Sequence, residues 1–229
     1  MESGGPELLG ERPGEGEVAF AFLGFSGVVA RVGDVVAAID VDNLVPPELY
    51  ERLERVDLLL FTHRHPDHFH LEAAMRIYYD HTPVIVAEPS VCDELSAYIP
   101  SSALVRAPPR AAIRVRGVVI GSLEGRHVCP IRLFLLRVGG VRLFHGGDSG
   151  YVDLSRLSAN IAFVPTGSPS PTASPEDALK MVRDLRPRVA VPVHGSDEDV
   201  SRFVELARGI GGLEVLAPQR HAAYRLRVL

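Results

Sequence analysis

Cysteine is nearly absent from this 229-residue chain: there are two, Cys92 and Cys129, and no C-x-x-C pair. That excludes a disulfide framework and a thiolate zinc site, and makes a reducing cytoplasm the simplest compartment. Lysine is scarcer still, Lys180 being the only one. The arginine bias is explained as readily by genome composition as by a demand for guanidinium groups, so no function is drawn from it. Excess positive charge is missing too. A formal charge of −5 and a pI near 6.0 give no general attraction to nucleic acid or anionic lipid, which leaves a small molecule as the expected partner and the oligomeric state open. The opening residues are rich in Gly, Pro and Glu, with no basic segment before an apolar one. Residues 1–16 therefore read as a loose tail and not as a signal peptide. No long hydrophobic run replaces it: Val18 to Val41 is mostly apolar but is broken by Gly24, Gly27, Arg31, Gly33 and Asp34, which predicts turns between strands and no membrane span.

What is present is enough apolar surface, 46% of residues, for one domain over 17–229. Val18–Phe25, Val28–Val32 and Val35–Val41 read as a strand meander. Pro46-Pro47 opens a helix with Leu49, Leu53 and Val56 on one face, and the apolar run 56–61 follows as a buried strand. A helix over Leu71–Tyr79, a strand over Pro83–Ala87 and a helix over Pro89–Tyr98 come next. Strand patterns then return at Ala112–Val115, Val118–Leu123, Arg132–Val138 and Val141–His145, with a hairpin turn at Gly139-Gly140. Alternation resumes with a strand at Ile161–Val164 and a helix from Pro175, capped by Ser174, with Ala178, Met181, Val182 and Leu185 on one face. Arg188–Val193 is the next strand, followed by a helix carrying Val200, Phe203, Val204 and Ala207. Strands at Leu213–Leu216 and Ala222–Val228 end the chain. Meander, alternation, meander, alternation predicts an α/β sandwich, two sheets face to face with helices outside.

The densest chemistry is Thr62-His63-Arg64-His65-Pro66-Asp67-His68, directly after a buried strand. His63, His65, Asp67 and His68 are donors of the kind that hold zinc, manganese or iron, and their spacing is too tight for one tetrahedral centre to use all four, so two neighbouring metals use them better. Three further candidate donors also follow strands: His127, Asp148 in Gly146-Gly147-Asp148-Ser149, and His194 in Val193-His194-Gly195. Glycine beside the last two lets the backbone bend and leaves the side chain clear.

His-x-His-x-Asp-His, then His, then Gly-Asp-Ser, then His, resembles the ligand order of the metallo-β-lactamase superfamily, from about Phe20 to the C-terminus. Within it the chain looks like the compact UlaG-like branch of metal-dependent hydrolases, which includes ascorbate-6-phosphate lactonases. The stretches that carry this are Leu23-Gly24-Phe25-Ser26-Gly27, Phe144 to Ser149, Val164-Pro165-Thr166-Gly167, Pro175 to Ala178 and Val191 to His194. There are two departures: the branch usually has histidine where Phe25 stands, and Ile-Asp-Pro where this chain has Ile39-Asp40-Val41. The resemblance implies a four-layer αββα sandwich with two divalent ions, zinc first and manganese or iron as alternatives. His63, His65 and His127 would hold one, Asp67, His68 and His194 the other, with Asp148 bridging.

Such a pair implies a binuclear hydrolase in which a metal-bridging hydroxide cleaves an ester, lactone or phosphodiester, with Asp67 orienting the nucleophile and taking its proton. No serine or cysteine nucleophile is needed. Ser149, Tyr151, Thr166 and Ser168 are candidate substrate contacts on the facing loops. His145 reads three ways, as a partner orienting a ligand, a substrate contact or a structural histidine. His70 reads as a helix cap and Cys129 as a buried inert thiol. Two rival readings are an iron-dependent oxidoreductase, whose oxygen-reducing diiron type would carry glutamate where His65 stands, and a binding module without turnover. A nuclease would need an added domain and charge that the chain does not have.

Overall fold

Strands that alternate with helices here bury both faces, and that property sets the layering. In the computed structural model, which describes residues 9–42 and 44–229, Leu58 and Leu60 of strand β4 (Leu58–Phe61) point into one apolar cluster while Leu59 and Phe61 point into another. Ile161 and Phe163 of β11 (Ile161–Pro165) and Val189, Val191 and Val193 of β12 (Val189–Val193) join the first of these clusters, whereas Ala162, Val164 and Ala190 face a third. A period of two with both faces apolar is what a sheet covered on each side requires.

The first sheet adds β1 (Glu17–Gly24), β2 (Gly27–Val32), β3 (Val35–Ile39), β5 (Val84–Ala87), β6 (Leu104–Arg106) and the last strand, β14 (Ala223–Arg227), in the order β14-β1-β2-β3-β4-β5-β6. The second adds β7 (Ala111–Val115), β8 (Val118–Glu124), β9 (Arg132–Val138), β10 (Val141–His145) and β13 (Glu214–Val215), in the order β13-β12-β11-β10-β9-β8-β7. Phe20 packs edge-on against Phe163 at 5.1 Å between ring centres, one point where the sheets meet. Outside the first sheet lie α1 (Pro47–Glu51), α2 (Leu71–His81) and α3 (Pro89–Leu95); outside the second lie α4 (Pro175–Leu185) and α5 (Asp197–Ala207). This is the four-layer αββα sandwich.

Local chemistry accounts for where elements differ from the sequence pattern. The strand before the histidine loop starts at Leu58 because the Asp57 carboxylate accepts the Val36 N–H at 2.9 Å and the Arg55 Nε–H at 2.7 Å. Helix α1 ends at Glu51, so Leu53 and Val56 reach the core from a turn. Ser174 caps α4 as expected, accepting the Asp177 N–H at 3.1 Å. His70 occupies the N-cap position of α2 without a side-chain capping bond. Strand β6, three residues between a helix and a proline loop, has no pattern that sequence reading could find. The expected loose tail is corrected in part: residues 1–8 lie outside the described residues, but from Leu9 the chain is held. Leu9 packs on the helix-side core, Gly10 C=O accepts from Arg31 at 3.1 Å, Arg12 pairs with Asp34 at 3.0 Å, and Gly16 C=O accepts the Val228 N–H at 2.8 Å. No helix among the described residues is long and apolar enough to cross a membrane.

Truncating Phe163 to alanine empties the layer between the sheets. Urea denaturation should show a loss of about 3–5 kcal/mol; a loss below about 1 kcal/mol would mean that the sheets do not pack through this ring.

Candidate metal centre

Sheet topology delivers the donors to one edge. Strands β3, β4 and β5 run parallel, as do β10, β11 and β12, and β8 is antiparallel to β9, which is antiparallel to β10. The C-terminal ends of β4, β8, β10 and β12 are followed by His63 to His68, His127, Asp148 and His194, and these side chains converge. Two glycines make room. Gly147 has φ +59 beside Thr62, and a Cβ on Gly195 would lie 2.1 Å from Thr166 Oγ1. His194 itself is held in the left-handed region at φ +47, its N–H donating to Phe25 C=O at 2.7 Å. Strain of this kind persists only where surrounding contacts over-determine it.

Asp148 stands at the centre, almost wholly buried. Its Oδ2 lies 3.4 Å from His127 Nε2, 3.7 Å from His68 Nε2 and 3.8 Å from His194 Nε2, and its Oδ1 lies 3.6 Å from His63 Nε2. His127 Nε2 is 3.2 Å from His65 Nδ1; Asp67 Oδ2 is 3.2 Å from His194 Nε2 and 3.9 Å from His68 Nε2. Hydrogen-bonded pairs would close to about 2.9 Å. Donors that share a tetrahedral ion at about 2.0–2.2 Å stand about 3.4 Å apart. The spacings here, 3.2–3.9 Å, bracket the second value and all exceed the first. His63 Nε2, His68 Nε2 and Asp148 Oδ1 are moreover buried with no hydrogen-bond partner among the described residues. Each such orphan costs roughly 1–3 kcal/mol unless a cation takes its lone pair. The donor set fits divalent metal ions.

The other ring nitrogens are held so that the lone pairs face inward. The Thr62 hydroxyl donates to Asp40 Oδ2 at 2.7 Å and so accepts from His63 Nδ1–H at 3.1 Å. His68 Nδ1–H donates to the same carboxylate at 2.8 Å. His127 Nδ1–H donates to Thr172 Oγ1 at 2.9 Å, and His194 Nδ1–H points at Gly167 C=O, 3.4 Å away. The His63, His68 and His127 rings are thereby fixed with a bare Nε2, the tautomer a metal ligand needs, while His194 Nε2 faces the Asp67 carboxylate. Asp40, at the end of β3 with φ +50, also accepts the Thr62 N–H at 2.8 Å. Sequence reading passed it over as a ligand support; its signal was an aspartate ending a buried strand. Thr62 and Thr172 left no signal.

Charge follows the same design. Burial, with the neighbouring histidines, holds the His63 and His68 rings well below the usual imidazole range, and burial with His65 lowers His127 to about 4. Burial pushes the Asp148 carboxyl up to about 7, against the pull of His194 and with reinforcement from Asp40 and Asp67. Asp40 rises to about 6 for the same first reason, opposed by His145 and by the Thr62 bonds. Asp67 goes the other way. Although burial raises it, the hydrogen bond from His194 and the charges of His68 and His194 hold it well below the usual carboxylate range.

The five candidate substrate contacts are placed differently. His145, Ser149 and Thr166 are buried and turned inward. His145 Nε2–H donates to Ser26 C=O at 2.8 Å and its Nδ1 accepts the Gly147 N–H at 3.2 Å; Ser149 Oγ accepts the Arg126 N–H at 2.8 Å; Thr166 Oγ1–H donates to Val193 C=O at 3.2 Å. These three shape the loops and offer a substrate no surface. Tyr151 turns to α4, donating to Asp184 at 2.9 Å with Lys180 over its ring. Ser168 alone is exposed, on a cavity rim shared with Phe25 and His194. Phe25, in place of the branch's histidine, sets its ring 5.8 Å from that of His194. Cys129, expected to be buried, is half-exposed and its Sγ lies 3.6 Å from His65 Nε2.

Two outcomes follow from this geometry. Asp40→Ala frees His68 Nδ1 and should weaken metal retention by about 10–100-fold in a chelator competition, with the fold kept; unchanged retention would show that the carboxylate does not orient the ring. Proton competition sets the second. With its folded value near 7 and its unfolded value 3.8, the metal-free Asp148 binds more protons folded than unfolded, so its ionisation opposes folding increasingly as pH rises from about 4 to 7. Metal entry must displace that proton. Titration of metal into weakly buffered protein should release protons at pH 6 and fewer at pH 8, with affinity falling below pH 7; release independent of pH would contradict this.

Residues 20–194 match the family model described as a β-lactamase superfamily domain. The chain is 28% identical over 225 residues to a UPF0173 metal-dependent hydrolase of Thermoplasma acidophilum, covering 89% of this chain and 93% of that one. It is 30% identical over 175 residues to a UPF0173 protein of Pyrococcus abyssi, covering 69% and 78%. A metallo hydrolase from Ignicoccus hospitalis shares the fold with a TM-score of 0.79 at 20% identity, over 92% of this chain and 98% of that one. With the domain match running from β1 to the last histidine of the centre, the chain belongs to the metallo-β-lactamase superfamily.

Proposed function

We propose that this protein is a hydrolase with two divalent ions, one held by His63, His65 and His127, the other by Asp67, His68 and His194, with Asp148 shared between them. One observation carries the reading: inward-facing imidazole nitrogens and a central carboxylate, several of them buried without a hydrogen-bond partner. The UPF0173 relative's description as a metal-dependent hydrolase supports it, and the imidazole-carboxylate mixture suits zinc, with manganese and iron as alternatives. When bound, such ions bring the pKa of water toward about 7 and polarise the bond under attack.

The chain's own residues supply position. Asp148 is buried at the junction of the two groups, and Asp67 is the carboxylate of the set that reaches solvent, its side chain 26% exposed. Kept ionised by His194, Asp67 is placed to orient an attacking water and to receive its proton. Phe25 sets its ring 5.8 Å from that of His194, and the bond cleaved is that of a small-molecule ester, lactone or phosphodiester of the kind the UlaG-like branch takes. Two unpaired thiols, Cys92 and Cys129, support action in a reducing cytoplasm.

Zinc-loaded protein should hydrolyse at least one member of a panel of esters, lactones and phosphodiesters. Asp148→Ala and His65→Ala should each lower kcat/KM by roughly 100-fold or more, since loss of a ligand costs at least what loss of a ligand's support does. Full metal content with no turnover across the panel would favour a binding module; iron with oxygen consumption would favour the oxidoreductase.

A further inference from the structure

At the opposite end of the second sheet, where β11 and β12 begin, the surface opens into a cavity of about 560 Å³, within the size range of small-molecule sites. Five extended residues at about 3.3 Å each put it about 17 Å from the metal edge. Four arginines line it, Arg142, Arg183, Arg186 and Arg188, and no carboxylate does. In a chain of net charge −5 that is a pronounced local reversal. Two acids adjoin the lining in sequence: Asp184 turns away, its Oδ2 accepting from Tyr151 Oη and the Leu154 N–H, and Glu214, whose N–H donates to Arg188 C=O, lies outside the lining.

The guanidinium groups have neutral tethers or none. Arg142 donates to Asn160 Oδ1 at 3.3 Å and to Ser158 Oγ at 2.6 Å, and Arg186 donates to Leu157 C=O at 3.2 Å. Those contacts orient the groups without neutralising them. The side chains of Arg183 and Arg188 are exposed and make no hydrogen bond or ion pair among the described residues. Arg183 and Arg186 end α4, where cations complement the helix dipole; that accounts for two of the four, whereas Arg142 is on β10 and Arg188 directly precedes β12.

The far wall adds a second kind of donor. The turn after α5 is Gly209-Ile210-Gly211-Gly212, and Gly211 and Gly212 line the cavity. Neither of their N–H groups donates to another described residue, and a Cβ at either position would meet no atom within 4 Å. Packing therefore does not demand glycine at 211, and the N–H groups of these two exposed residues are open to a ligand. Guanidinium groups and unpaired amides that line one cavity, with no carboxylate in its lining, suit phosphate oxygens.

We propose that this cavity binds a small organic phosphate of nucleotide or sugar-bisphosphate size, at a site separate from the metal centre. The proposal stands whether or not the centre is a hydrolase. Calorimetric titration of the metal-loaded full chain at low ionic strength, with AMP and with fructose 1,6-bisphosphate as probes, tests it. At least one probe should bind with a stoichiometry of one. Arg183→Gln and Arg188→Gln, both at exposed side chains with no hydrogen bond or ion pair among the described residues, should each weaken binding by about tenfold or more. His65→Ala, at the metal centre, should leave it unchanged. Absence of binding by either probe at millimolar concentration would overturn the proposal. So would binding lost in His65→Ala but kept in the arginine variants, which would put the phosphate on the metals. An arginine-dependent affinity for a single-stranded RNA oligonucleotide well above that for both probes would replace the small phosphate with a polynucleotide.

Discussion

A carboxylate buried among four imidazoles is the constraint on which the rest of this structure depends. Without a cation, Asp148 holds its proton up to about pH 7 and His63, His68 and His127 resist protonation, while at His194 burial is outweighed by the carboxylates of Asp67 and Asp148, which raise it, and several bare lone pairs remain buried. Burial of unsatisfied donors is costly, and folding tolerates it only where another gain offsets it. Metal ions would provide that gain, and the 3.2–3.9 Å spacings suit side chains that share them.

The two sheets are built to keep that array in place. Asp40 from the first sheet holds Thr62 and His68; His145, on the same face of β10 as Val141 and Leu143, reaches between the sheets to Ser26, whose hydroxyl donates in turn to Gly147 C=O at 2.8 Å. Each link joins segments far apart in sequence, so the loop that carries Asp148 is fixed from the opposite sheet. The left-handed backbone at Asp40 and His194 belongs to the same arrangement: both turn sharply at the point where a strand hands its side chain to the centre.

That division also explains what could be read from sequence. The donors His63, His65, Asp67 and His68 form a local motif, and His127, Asp148 and His194 each follow a legible strand, so strand order alone brings them to one edge. Period-two burial likewise made the layering readable. The supports were not, because Asp40 acts on Thr62 only through the parallel pairing of β3 with β4, a contact 22 residues long in sequence. His145, Ser149 and Thr166 looked like substrate contacts because they neighbour the donors, but strand parity and loop bonding turn them inward. Leu9 to Gly16 looked loose because Gly, Pro and Glu have no pattern, yet backbone carbonyls there accept bonds from distant arginines and from Val228, just past β14.

The account turns on whether the convergent donors hold two metal ions. Anomalous diffraction from a crystal of the zinc-loaded protein tests this most directly. Two peaks are predicted, one among His63, His65 and His127 and one among Asp67, His68 and His194, with Asp148 within bonding distance of both. A metal-saturated crystal showing a single peak, or none at these side chains, would contradict it.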